Sequence, residues 1–421
     1  MKILLWHGYL LDGTGSNVYA RSLARAWSRL GHEVVVFSQE PHPDRYDLGG
    51  ARAVRPPISG PLPVFVLDRY EDLEPRLLQE LTSSERRRFV DENAAAVREH
   101  LPADLLLTNH VLLGAPVGAA VGIPFGVKAH GSELEFSLRG NPDLSAWAAE
   151  TLDAATAVYA GSEHIRRVLE DVVGAGDYLD RVQVVPPGVD VGAFRPEQRG
   201  EALAGLLEEA RRDPPNPGRA GERLPDEGNA ERLAAFLDGD RPTVLYVGKL
   251  SAEKGVQLLL ESLRNVDART VIVGFGPARD ELEAASDDRV LFTGPLEHRH
   301  LVHLFTLAKV SVTPSVFPEA FGMVAAEAAA SGSPPLVARH SGLAEIAEGL
   351  EEEYPPEHRD LASFRSGDSA DLARKLETLL ALPDPDWRRL SAAARRAAEA
   401  RWSWERIGAL ILSAPWETLS A

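Results

Sequence analysis

Lys2-Ile3-Leu4-Leu5-Trp6-His7, a glycine-bearing loop Tyr9-Leu10-Leu11-Asp12-Gly13-Thr14-Gly15-Ser16, residues 17–30, and His32-Glu33-Val34-Val35-Val36-Phe37 follow one another at the start of the chain and decide its fold. The first and last pieces are apolar runs of strand length, the form of a strand buried on both faces. Between them Val18, Leu23, Ala26, Trp27 and Leu30 recur at helical spacing, and Gly31 ends the run. Strand, loop, helix and strand in that order begin a doubly wound parallel sheet. The alternation continues outward, with strands expected at residues 104–108, 125–129, 157–160 and 182–186. It restarts at Pro242, with strands expected at 243–247, 269–273, 290–293 and 309–313 and a helix over 256–263. The fold class expected is α/β, with two Rossmann-like doubly wound domains in series.

The first domain is expected over residues 1–195 and the second over 241–401. Between them, 196–240 contains Asp213-Pro214-Pro215-Asn216-Pro217-Gly218 and Gly221-Glu222-Arg223-Leu224-Pro225-Asp226. That composition reads as a polar linker or insertion with short helical pieces, mobile relative to the domains. Residues 402–421 read as an amphipathic helix with Ser403 as its cap.

Composition narrows the function. A length of 421 residues is ample for two or three domains. The net charge of −18 argues against a nucleic-acid partner, which needs a basic surface. No apolar run reaches the roughly 20 residues of a membrane span, and the first residues run straight into fold sequence rather than a secretory signal. Cysteine is absent, which excludes disulfides and thiol nucleophiles. A cytoplasmic enzyme is the default. One basic patch, Arg86-Arg87-Arg88, reads as a solvated helix face, with membrane contact as the alternative.

Four segments carry residues suited to chemistry. In the Gly13/Gly15 loop the glycines let backbone amides approach a phosphate closely, or serve a tight turn. Val127-Lys128-Ala129-His130 ends a strand with a histidine able to hold a hydroxyl or to orient a reacting group, or simply to cap the strand. Gly248-Lys249 and Lys254-Gly255 place two cations near a strand end, where they could neutralise a diphosphate; alternatively Lys254 sits in an exposed turn beside Glu253. Lastly, Pro318-Glu319-Ala320-Phe321-Gly322-Met323-Val324 leads into an alanine-rich helix containing Glu327 and closing at Gly332. Amides at that helix start suit an anion, and the two carboxylates suit hydroxyls. Asp238-x-Asp240 and Asp384-x-Asp386 fall where aspartate caps turns and helices, and no metal is assigned.

The order Gly15, His130, Pro187-Gly188-Val189-Asp190, Gly248-Lys249, Lys254-Gly255, Gly274-Phe275-Gly276-Pro277, Glu319, Glu327, Trp404 resembles the retaining family 4 glycosyltransferases. It covers residues 1–190 and 241–421. Lys249 stands where the family pattern has arginine, keeping the charge without the bidentate fork. The resemblance implies a GT-B fold, two domains facing each other across a cleft, with the last helix crossing back to the first domain. It implies transfer of a sugar, without cofactor or metal and with retention, from a nucleoside diphosphate sugar, UDP or GDP, to a small-molecule, glycan or lipid acceptor, with at most weak peripheral contact with a membrane. Catalytic roles would fall to His130, Lys249, Lys254 and Glu319. Donor binding would fall to Gly15, Gly248, Gly274, Phe275, Gly276, Phe321, Gly322, Met323, Val324 and Glu327. The acceptor would meet loops such as 57–69 and 133–143 of the first domain. Rivals are a sugar-nucleotide epimerase or phosphorylase on the same fold, an inactive nucleotide-sugar-binding subunit, and, on Gly13-x-Gly15 alone, a dehydrogenase.

Overall fold

A computed structural model describes residues 1–67, 70–264 and 266–413. The last eight residues of the expected 402–421 helix, and positions 68 and 69 of the 57–69 loop, lie outside the described residues. The chain divides into two compact units, Met1–Gly188 with the C-terminal segment from Trp404, and Val189–Ser403.

The first unit holds a seven-stranded sheet in the order Arg52–Val54, Glu33–Phe37, Lys2–Trp6, Leu105–Asn109, Phe125–Lys128, Ala157–Ala160, Val182–Val184. All its pairings are parallel. Successive side chains of a strand face opposite ways, so Ile3 and Leu5 enter one apolar core while Leu4 and Trp6 enter another. The strand order reverses between Lys2–Trp6 and Leu105–Asn109, which makes their carboxyl ends a topological switch point. The first helix, Gly15–Arg29, starts two residues ahead of the expected start at residue 17 because Thr14 caps it, accepting from the Asn17 amide at 3.4 Å.

The helix Trp404–Leu412 belongs to this unit. Trp404, Ile407 and Ile411 are buried in one core with Leu23 and Trp27. Trp27 Nε1 donates to the Gly408 carbonyl at 3.1 Å and the Tyr159 hydroxyl to that of Ile411 at 3.3 Å. Gly188 lies so close to this helix that a Cβ there would meet the Trp404 ring at 2.4 Å. The basic patch lies on the helix Ser83–Arg98, with the Arg86 guanidinium 5.5 Å from the Trp147 ring centre.

The second unit repeats the design. Its six parallel strands run Val290–Phe292, Arg269–Val273, Thr243–Val247, Val310–Thr313, Pro335–Ala338, Ser363–Phe364, and the order reverses between Thr243–Val247 and Val310–Thr313. The strands Arg52–Val54, Pro335–Ala338 and Ser363–Phe364, and a small ribbon of Leu62–Val64 with Pro75–Leu77, are additions to the sequence reading. Among the described residues no helix is long and apolar enough to cross a membrane.

Residues 196–240 are not a linker. They form the helices Arg199–Arg211 and Asn229–Phe236, and Ala202, Leu206, Leu233 and Leu237 are buried in the second unit's core. Arg299 ties the first of these helices to the body, reaching Glu209 at 3.1 Å and Asp213 at 2.5 Å, and His300 lies 3.0 Å from Asp213. The polar composition conceals this because the charged side chains occupy the outer faces of short helices whose inner faces are leucine and alanine. Leu206→Ala should therefore lower the unfolding free energy of the second unit by about 2–5 kcal/mol, the cost of emptying a buried leucine site. Urea unfolding would measure it. A loss under about 0.5 kcal/mol, as at exposed positions, would contradict the packed arrangement.

Candidate active site

The second unit's switch point is built by close packing of loops. Gly255 has φ of 70°, and a Cβ there would lie 2.0 Å from the Pro314 carbonyl oxygen, so the turn after Thr243–Val247 sits directly on the end of Val310–Thr313. The Glu253 carbonyl accepts from the amides of Val316 and Phe317 at 2.9 and 3.2 Å. This apposition brings the Lys254 ammonium to the Glu319 carboxylate, 2.5 Å apart. Glu253 is the partner the sequence suggests for Lys254 in an exposed turn; the structure pairs Lys254 with Glu319 instead. Glu319 is fixed from behind, its amide donating to the Ser341 hydroxyl at 2.8 Å, which in turn meets His340 Nδ1 at 2.9 Å.

Gly322 follows in the left-handed region, with φ of 117°, and caps the helix Met323–Ala330. Gly322, Met323 and Val324 are half-buried at the helix mouth, where intrahelical geometry leaves amides unpaired. Glu327, a turn further on, is buried, with its carboxylate 3.3 Å from His298 Nε2. Phe321 departs from the donor-contacting role expected of it: its side chain is buried in the core, edge-on to Trp402.

Gly274 and Gly276 have a packing reason to be glycine. A Cβ on Gly274 would stand 1.8 Å from the Gly248 carbonyl oxygen, and one on Gly276 2.4 Å from that of Leu250. The two loops interlock, with Leu250 N donating to the Phe275 carbonyl at 2.7 Å. Lys249 is exposed on this loop, its carbonyl accepting from the Tyr246 hydroxyl at 2.8 Å. Among the described residues no hydrogen bond or ion pair joins Lys249 to the Lys254–Glu319 pair.

In the first unit, Gly15 is the first residue of its helix, and a Cβ there would meet nothing within 4 Å. His130 lies beyond the end of Phe125–Lys128, its Nε2 2.8 Å from Asn109 Oδ1. It is one of three imidazoles in a row. The His110 ring centre lies 4.7 Å from that of His130 and 5.7 Å from that of His7, and His7 reaches Asn17 at 2.9 Å. His7 and His110 follow Lys2–Trp6 and Leu105–Asn109, so the row spans the switch point. Neither is evident as a site residue in the sequence, since positions 7, 110 and 130 are joined only by the sheet. The signal that could have found them is shared position: each histidine stands just past a buried strand.

Burial governs the charges here. It pushes His7 down to about 4 and holds His110 well below the ordinary imidazole value, neighbouring His130 and His7 adding to the effect. His130 is also held well below, by desolvation first and then by Lys128 and His7. Burial raises Glu133 to about 7 against the pull of amide bonds from Val111, Leu112 and His130, and lowers Lys128 to about 7. The cluster is a set of neutral imidazoles, able to exchange hydrogen bonds with hydroxyls without presenting charge. Among the described residues no three His, Asp or Glu side chains are grouped as metal ligands would be. Asp384 and Asp386 lie in the first turn of the helix Asp384–Ala397.

Two parallel-sheet units, each with polar groups gathered at its switch point, are the architecture of the GT-B glycosyltransferases. The comparisons agree. Residues 13–193 match the family described as Glycosyltransferase Family 4, and residues 229–397 match Glycosyl transferases group 1. The chain is 30% identical to the D-inositol 3-phosphate glycosyltransferase of Xylanimonas cellulosilytica, over 95% of this chain and 91% of that one. It is also 30% identical to the protein of the same name from Frankia alni, over 95% and 94%. Among solved structures, Anabaena HepE in complex with UDP and glucose superposes with a TM-score of 0.66 at 17% identity, covering 97% of this chain and 98% of that one. The chain belongs to glycosyltransferase family 4, and it is a glycosyltransferase.

The imidazole row yields a pH test. His110 is neutral when folded and titrates at its ordinary value when unfolded, so below about pH 6.5 the unfolded state binds the extra proton and stability falls. His110→Phe keeps the ring volume and removes that titration. The variant should gain on wild type by about 1.4 kcal/mol per pH unit below 6.5, read as urea midpoints between pH 7.5 and 5. An identical pH slope in both proteins would show that His110 is charged in the fold.

Proposed function

We propose that the enzyme transfers a sugar from a nucleoside diphosphate sugar, UDP- or GDP-linked, to a hydroxyl of its acceptor, without a metal and with retention of the anomeric configuration. The observation that carries this reading is the Lys254–Glu319 pair, 2.5 Å apart beside the half-buried mouth of the Met323–Ala330 helix. A cation and a helix start at one strand end suit a departing diphosphate. Glu319 orients Lys254 and is placed to take a sugar hydroxyl. Glu327, buried beside His298, is placed to hold ribose hydroxyls, and Lys249 adds positive charge from the exposed loop. Gly15 leaves open space at the first helix start for a substrate to approach, and His130 offers a neutral imidazole to a sugar hydroxyl. UDP with glucose, and UDP-glucose, in the HepE complexes support a nucleotide-sugar donor. The names of the relatives include D-inositol 3-phosphate glycosyltransferase and, from Streptomyces kanamyceticus, alpha-D-kanosaminyltransferase; what they share is sugar transfer. The cytoplasm is the proposed site of action.

Lys254→Ala and Lys249→Ala should each lower turnover about 100-fold, the on the order of 3 kcal/mol lost with one stabilising contact to a developing anion. Glu327→Ala should chiefly raise the donor KM, and Glu319→Ala should chiefly lower kcat. Near wild-type turnover at saturating donor in either lysine variant, or matching kinetic defects in the two glutamate variants, would refute the assigned roles.

Transfer should persist in EDTA, because the leaving-group charge is met by Lys249, Lys254 and helix amides. The product of an α-linked donor should be α-linked. Activity lost in EDTA and restored by Mg²⁺ or Mn²⁺ would refute the metal-free route, and a β anomeric signal in proton NMR would refute retention.

A further inference from the structure

Two of the three histidines in the helix His298–Leu307 stand behind the site rather than in it. This helix packs on Arg199–Arg211, from the segment that the sequence presents as a linker, so closely that a Cβ on Gly205 would lie 2.6 Å from the His303 ring. His303 Nδ1 lies 2.7 Å from Glu197 on the same side. The first turn is locked at both ends of one imidazole. Glu297 caps the helix, and its amide donates to His300 Nδ1 at 3.2 Å. A neutral imidazole that accepts at Nδ1 carries its proton on Nε2, and His300 Nε2 faces Asp213 Oδ1 at 3.0 Å. Burial holds His300 below the ordinary imidazole value, against the pull of Asp213, in keeping with that single proton. Arg299 closes the turn from outside, meeting Glu297 at 2.8 Å and Asp213 at 2.5 Å.

His298 is the first residue of this turn. Its ring stands edge-on to Phe194, with centres 5.7 Å apart, and Phe194 packs in turn on Phe305 of the same helix at 5.9 Å. From that seat His298 Nε2 lies 3.3 Å from Glu327 Oε1. A carboxylate that takes hydroxyls must be aimed, and a contact from a neighbouring rigid element restricts the rotamers open to it. The contact is only as well placed as the turn that carries it.

We infer that His300 is a positioning residue for the nucleotide site: set between the Glu297 amide and Asp213 of the linker-like segment, it fixes the turn from which His298 aims the Glu327 carboxylate. This rests on the reading of Glu327 as a ribose-binding residue. Residues 196–240 thereby contribute to donor binding without touching the donor.

Calorimetric titration of the full chain with UDP, GDP and inorganic pyrophosphate tests this. The proteins are wild type, His300→Leu, His300→Gln, His298→Ala, Glu327→Ala and the double variant His300→Leu/Glu327→Ala. His300→Leu should weaken the preferred nucleoside diphosphate about tenfold and leave pyrophosphate affinity within about twofold, because the phosphate-binding groups stay in place. Glutamine reaches the same amide with its carbonyl and Asp213 with its NH₂, so His300→Gln should bind within about twofold of wild type. His298→Ala removes an exposed side chain, leaves the packing intact and should show the same selective loss. With Glu327→Ala already present, His300→Leu should cost nothing further, since a residue that acts only through another has no separate effect. Unchanged nucleotide affinity in His300→Leu or His298→Ala would overturn the inference alone. So would an equal loss for pyrophosphate, no recovery with glutamine, or an undiminished loss in the double variant. Wild type that binds neither nucleotide, or Glu327→Ala that binds as well as wild type, would overturn the donor reading and this inference together.

Discussion

The second unit depends on one requirement: the turn carrying Lys254 must lie flat on the end of the neighbouring strand. Only a glycine at 255 permits that, because any Cβ would collide with the Pro314 carbonyl. From this contact follow the 2.5 Å approach of Lys254 to Glu319 and the hydrogen bonds that pin 316 and 317 to Glu253. The pair adds little to stability. Its side chains are 34% and 22% exposed, and ion pairs in contact with water contribute about 0–1 kcal/mol. On the proposed function its worth lies in geometry: a cation is held at a helix mouth before any substrate arrives, so no reorganisation would be needed when charge develops there.

The two units gather different chemistry at equivalent places. The second presents charge, with Lys249, Lys254, Glu319 and Glu327 around the reversal of strand order. The first presents His7, His110 and His130, kept neutral by burial. On the proposed function that division is sensible, since a diphosphate needs compensating charge whereas sugar hydroxyls need neutral hydrogen-bonding groups. His110, with φ of 73° and no hydrogen bond to either ring nitrogen, the nearest carboxylate being that of Glu133 at 3.8 Å from Nδ1, is the costly member of the row. Such an arrangement persists only where the surrounding packing enforces it.

The alternation of apolar runs with amphipathic helices made both sheets legible, because strands buried on two faces leave unbroken hydrophobic segments such as Val34-Val35-Val36. Glu319, Gly322 and Glu327 were legible through local spacing across one loop and one helix. What stayed hidden was nonlocal. Lys254 meets Glu319 across 65 residues, the imidazole row joins three strands, and His298 comes to Glu327 from another helix. The 196–240 segment was misread since proline, glycine and charge density outweigh the few apolar positions, Ala202, Leu206, Leu233 and Leu237, that carry its packing. Gly274 and Gly276 resemble a ligand-contacting turn, and the carbonyls of Gly248 and Leu250 beside them are enough by themselves to require glycine. Phe321 was legible as part of a motif, while its burial against Trp402 was not.

On the proposed function, a nucleoside diphosphate sugar binds at the second unit's strand ends. The most direct measurement is the melting temperature of the intact chain titrated with UDP-glucose, GDP-mannose and ADP-glucose, with free glucose and mannose as controls. A ligand that binds only the folded state at 100 times its Kd adds about 2.7 kcal/mol. Binding there should give a saturable rise with the UDP- or the GDP-sugar, no rise with either free sugar, and loss of the rise in Lys254→Ala. A melting temperature indifferent to all three nucleotide sugars, or raised equally in Lys254→Ala, would contradict it.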